Sequence, residues 1–250
     1  MGEPADTRET RPDASGPAEL RRHLEELAAG GSVGIALQPI VDLATTEVIG
    51  YEALARFCGE ASITPQQWFA EAAALGLLHE TEMAAVRAAL GELDQLPPEV
   101  FISVNVSPAT AASAEFRELL GTVDGSRVVI EITETVAEDG YDEVSDAVGV
   151  LRASGVRVAL DDTGSGSVSF SSLFEVHADI IKIDVEVTHG IDSDMMKQAM
   201  ASALKSLADR LGAISLAEGI ETEEELKLLR DMGIQAGQGY FFGRPESVVD

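Results

Sequence analysis

Eight side chains of this chain have the types and spacing needed to bind cations and move protons: Glu52, Asn105, Glu131, Asp161, Asp162, Lys182, Glu218 and Gln238. Each falls at or near the C-terminal end of a short apolar or β-branched run. A single acidic residue after a strand is most often a helix cap or a solvated loop residue. Five carboxylates gathered in one place, however, would repel each other unless cations neutralised them. Hard oxygen donors of this kind suit Mg²⁺ or Mn²⁺ rather than zinc. The adjacent aspartates suggest two ions sharing a ligand, and a pair roughly 3.5–4 Å apart is a recurrent device for in-line attack of water on a phosphodiester.

Such a gathering requires elements that converge. Strands are predicted over 33–40, 48–54, 101–104, 128–132, 156–160, 180–183, 214–217 and 234–238, from their β-branched and apolar runs. Helical spacing marks 65–75, 80–93, 112–120, 141–153, 195–211 and 222–231. This alternation is the rhythm of a mostly parallel sheet. Only residues 41–47 separate the first two strands, too few for a helical crossover, so that pair is expected to be antiparallel. The fold class that follows is α/β: a (β/α)₈ TIM-type barrel with an antiparallel start, whose strand ends form one mouth where polar residues from several strands meet. Residues 1–17, rich in Pro, Gly and acidic residues, read as a disordered tail. A leader helix over 18–31 and one barrel domain over 32–250 complete the organisation.

Composition excludes several classes. The 250 residues carry a formal charge of −27 and 45% hydrophobic residues. That charge disfavours nucleic acid and anionic membrane surfaces as partners. No run reaches the ~18 apolar residues of a membrane span, and the N-terminus resembles no secretory signal, so a cytoplasmic protein is expected. The single cysteine, Cys58, rules out an intramolecular disulfide framework and a zinc site of several thiolates. An anionic substrate would therefore need cations that the sequence does not itself encode.

Seven ordered motifs give the chain a resemblance to a known family. Residues 38–57, QPIVDLATTEVIGYEALARF, are followed by SVNVSP with Asn105, EITET with Glu131 and Glu134, and LDDTGSG with the aspartate pair. IKID with Lys182, AEGIET with Glu218 and Glu221, and QGYFFGRP with Gln238 complete the series. Together, from about residue 34 to 245, they resemble the EAL-domain enzymes that linearise the bacterial second messenger cyclic di-GMP. The resemblance implies a homodimeric phosphodiesterase using two Mg²⁺ or Mn²⁺ ions to form pGpG. In that scheme Glu52, Asn105, Glu131, Asp161 and Asp162 hold metal; Glu218, Lys182 and Gln238 serve the attacking water. Gln38 and Arg56 grip the substrate, Arg56 through a planar fork suited to phosphate oxygens, and Glu134 ties down the loop after the aspartates.

Two stretches depart from the family pattern. Where the family reads close to DDFGTGYSSL, this chain has Asp161 to Phe170 as DDTGSGSVSF, losing aromatic packing at positions 163 and 167. Ala73 and Ala74 replace a usual acidic pair. The altered loop leaves a second reading open, a catalytically weak or inactive domain that binds cyclic di-GMP as a receptor and signals through a protein partner. All the expected ligands are retained, which favours the enzyme.

Overall fold

The computed structural model describes residues 15–57, 63–132, 148–163 and 178–247. Among these, eight strands close into a barrel: β1 (Gly34–Asp42), β2 (Val48–Arg56), β3 (Phe101–Asn105), β4 (Val128–Ile132), β5 (Arg157–Thr163), β6 (Ile180–Ile183), β7 (Ile214–Ala217) and β8 (Ala236–Gly237). Neighbours from β2 through β8 are parallel; β1 closes the ring, antiparallel to both β2 and β8. A ninth strand, Glu246–Ser247, adds antiparallel to β1. The barrel with an antiparallel start is thus what the sequence predicts. Its first turn is local: Asp42 Oδ1 accepts from the backbone N–H of Ala44 (2.9 Å) and Thr45 (2.8 Å), and Thr46 takes a positive φ of 63°. An aspartate that bonds the chain just ahead of it builds such a turn without a crossover.

Strand alternation sorts the side chains. Ile40, Phe101, Val129, Ala159, Ile180, Leu216 and Ala236 pack together inside the barrel, while Ile102, Val128, Ile130, Val158 and Ile181 face the helices. Side chains two apart share a face, so Glu131 shares the inward face of Val129. Gly50 leaves room for the interior plug, since a Cβ there would stand 2.5 Å from the Phe101 ring.

Around the barrel run α1 (Ser15–Ala28), α2 (Pro65–Ala74), α3 (Leu78–Gly91), the one-turn α4 (Pro108–Ala111), α5 (Ala114–Leu120), a helical stretch over 148–153, the one-turn α6 (Val185–Thr188), α7 (Met195–Leu211) and α8 (Glu223–Asp231). The helix expected over 112–120 starts at Ala114, because Ser113 caps the Phe116 N–H, and the separate one-turn α4 precedes it. α1 lays Leu24 and Leu27 against the α2–α3 layer, beside Trp68. β5 extends to Thr163, so the aspartate pair lies inside the strand rather than after it; the β5–β6 register slips between Leu160 and Thr163. No helix among the described residues is long and apolar enough to cross a membrane.

Candidate active site

The mouth of the barrel is organised around one buried ammonium. Lys182, 1% exposed, projects from β6, with Nζ lying 2.6 Å from Glu131 Oε2, 2.9 Å from Glu218 Oε1, 3.1 Å from Asp161 Oδ1 and 3.9 Å from Glu52 Oε1. These carboxylates come from β4, the end of β7, β5 and β2. Residues remote in sequence meet because parallel strands deliver their C-terminal ends to one rim. Two carboxamides knit the cluster: Gln238 Nε2 donates to Glu52 Oε2 (2.7 Å) and Glu218 Oε1 (3.1 Å), and Asn105 Nδ2 donates to Glu52 Oε1 (3.2 Å). Seven of the eight side chains singled out from sequence therefore stand in one network.

Charge is unbalanced there, four carboxylates against one ammonium. Burial pushes Glu131 up to about 8, with the neighbouring Glu52 and Asp161 adding to the rise and Lys182 opposing it. Burial likewise pushes Glu218 up to about 7, opposed by Lys182 and reinforced by Asp161 and Glu52. Burial alone would lower Lys182, but the fields of Glu131, Glu218, Glu52 and Asp161 together hold it well above the ordinary lysine value. The site is short of positive charge.

Among the described residues, no three His, Cys, Asp or Glu side chains stand at metal-binding spacing. The carboxylates instead converge on Lys182 Nζ, at 2.6–3.9 Å. The donor set is all oxygen, and Gln238 Oε1 is buried with no hydrogen-bond partner. An unpaired buried acceptor is costly; hard cations carrying water would satisfy it, and the residues present suit such ions.

The remaining candidates are placed as follows. Gln38 lies on β1 opposite Glu52 and donates to Gly243 O at 3.4 Å. Arg56 closes β2 half-buried, with Nη1 donating to Ala55 O at 3.1 Å. The backbone of Asp162 lies in β5, but its side chain is outside the described residues, as are Glu134, Cys58 and residues 164–177 of the departing loop. Ala73 and Ala74 belong to α2, and none of the carboxylate contacts involves them.

Sequence reasoning missed Ser103, whose hydroxyl donates to Glu131 Oε1 at 2.5 Å. It sits two residues before Asn105 on β3, so period-two alternation was the signal for it. It also missed Glu82, a buried carboxylate on α3 that accepts from the Ser107 N–H (3.0 Å) and hydroxyl (2.7 Å), pinning the loop after Asn105. A glutamate inside a helix carries no such signal. A separate cavity of about 300 Å³, lined by residues including His23, Glu26, Phe57 and Trp68, shares none of its lining with the carboxylate cluster.

Comparison with known proteins gives the following matches. The family described as EAL domain matches residues 19–245. The probable cyclic di-GMP phosphodiesterase PdeI of Escherichia coli (strain K12) is 29% identical over 238 residues, covering 90% of this chain and 30% of that protein. The PaMucR phosphodiesterase in its c-di-GMP complex superposes with a TM-score of 0.82 at 28% identity, covering 92% of this chain and 98% of that one. Klebsiella pneumoniae BlrP1 in a manganese and cy-diGMP complex at pH 6 gives 0.77 at 30% identity, over 87% of this chain and 57% of that one. The chain spans 28–30% of the length of the first curated relatives it matches.

Proposed function

Given that the chain belongs to the EAL domain family, we propose that it is a metal-dependent phosphodiesterase that opens cyclic di-GMP to linear pGpG. The observation that carries this reading is the ring of carboxylates drawn from four strands around Lys182 Nζ. Glu52, Asn105, Glu131, Asp161 and Asp162 would hold two Mg²⁺ or Mn²⁺ ions. When bound, such ions acidify the attacking water and neutralise charge building on the phosphate. Glu218 takes the proton from that water, its burial bringing it toward neutral pH, where a general base works best. Lys182 offers a compact positive charge to the phosphate oxygens, and Gln238 fixes the direction of Glu218 by its 3.1 Å bond. Gln38, midway along β1, and Arg56, at the end of β2, grip the ligand.

Residues 32–250 are the catalytic barrel and 18–31 its leader, acting in the cytoplasm as a homodimer. Exposed Val185, Met195, Met196 and Met200 support self-association, because apolar side chains left in water favour contact with a partner.

The test is incubation of the protein with cyclic di-GMP and Mg²⁺ or Mn²⁺, following pGpG by chromatography, with a chelator control and a binding titration in parallel. Metal-dependent pGpG is the expected result. Tight binding without turnover would replace the enzyme with a receptor.

A further inference from the structure

We infer that Glu225 is a positioning residue for the proposed hydrolysis, its buried carboxylate clamping the loop that carries Glu218 to the loop that follows the Lys182 strand. The inference rests on the reaction proposed above. Glu225 is 2% exposed on the first turn of α8. Its Oε2 accepts from the backbone N–H of Thr222 (3.0 Å) and Glu221 (2.9 Å), and its Oε1 from that of Gly190 (2.7 Å). A capping box accounts for the Thr222 bond, and Thr222 Oγ1 answers it by accepting from Glu225 N at 3.2 Å. The bonds to Glu221 and Gly190 go beyond what capping a helix needs. Gly190 lies between α6 and α7 with a left-handed φ of 69°, so this one carboxylate ties together two rim loops. Burial would raise its pKa, but the three backbone N–H groups outweigh that and keep the group ionised.

The grip reaches the chemistry through three residues. Glu218 N donates to Ile183 O (3.0 Å), Ile220 N to Gln238 O (3.0 Å), and Phe241 N to Ile220 O (3.0 Å). Between Glu218 and Ile220 stands Gly219, at a φ of +66°, where a Cβ would meet the Val185 side chain at 2.3 Å. The loop is therefore pinned at both ends and packed in the middle, and loosening Glu221 would shift its neighbour Ile220, whose bond to Gln238 O passes the shift to the backbone of Gln238. Glu218 and Gln238 would then lose the alignment that sets their 3.1 Å bond. Misplacement of this size matters, since a shift of about 1 Å far from the reacting atoms can cost on the order of 100-fold in rate.

The experiment compares Glu225→Gln, Glu225→Asp and Thr222→Ala with the parent chain, reading kcat and KM with cyclic di-GMP and Mn²⁺. Backbone amide exchange at residues 190, 221 and 222 is followed in parallel without metal. In E225Q the new NH₂ must face either Gly190 N–H or the Glu221 and Thr222 pair, donor against donor, so one side is lost. The expectation is faster exchange on that side and a kcat lower by on the order of 100-fold, with KM changed by less than about threefold. Should E225Q not fold, E225D, which keeps the charge and shortens the reach, carries the same expectation. T222A removes the opposite half of the capping box and should lower the melting temperature while keeping kcat. Unaccelerated exchange in E225Q would overturn the clamp. Accelerated exchange with parental kcat, or an equal loss of kcat in T222A, would overturn its role in positioning. No turnover by the parent chain would overturn the reaction itself and, with it, the catalytic consequence of the clamp.

Discussion

Lys182 and Glu218 make the titration of this site unusual at the level of single residues. A carboxyl held at about 7 in the folded chain, against an ordinary 4.5, binds its proton more tightly when folded. The stability so gained is complete below pH 4.5 and is lost as pH rises through 7; for Glu218 it amounts to no more than about 3 kcal/mol. Metal-free Glu218→Gln should therefore melt with a flatter dependence on pH between 5 and 8 than the parent chain, as followed by circular dichroism. An identical slope would show that Glu218 does not titrate as its burial requires. Glu52→Ala, or Asp161→Asn, should abolish pGpG formation while leaving the melting transition cooperative. Unchanged turnover in either variant would remove the metal-site assignment. The site residues were legible in the sequence because each polar residue interrupts or ends an apolar strand. Ser103 was hidden by being small, and Glu82 and Glu225 by lying in helices, where a glutamate is ordinarily a solvated residue.

At the level of elements, one glycine decides how the end of the last barrel strand presents Gln238. Gly239 adopts a φ of +153°, and a Cβ there would lie 2.2 Å from the backbone N and O of Ile220. Backbone cannot swing aside as a side chain can, so Gly239→Ala should cost about 1–3 kcal/mol in urea denaturation and weaken turnover by moving Gln238. Stability equal to the parent would contradict the close approach. The strands over 128–132, 180–183 and 214–217 were read to the residue from β-branched runs bounded by turns. For the last barrel strand the pattern predicts 234–238, whereas β8 is Ala236–Gly237. Pairing, not propensity, limits it, since β8 bonds β7 over two residues and β1 over two. Glu246–Ser247 could not be read at all. Two polar residues have no pattern, and only pairing with Ala36 and Leu37 of β1 makes them a strand.

For the whole molecule, the charge of −27 and the exposed methionines act in opposite directions. Two like-charged protomers repel at long range, and salt screens that repulsion without weakening apolar contact. Sedimentation should show the dimer fraction rising with salt, and Met196→Glu should lower it at every salt concentration. A dimer insensitive to Met196→Glu would place the interface elsewhere. The reversed direction of β1 has a mechanical meaning. In a uniformly parallel barrel, the chain would enter its first strand at the floor, a full strand length from the reacting groups. Here Gly34 pairs with Arg56 at the rim, so α1 delivers the chain directly to the working end. A pull or twist on that helix is thus applied with a short lever arm, along the very strand where Gln38 faces Glu52.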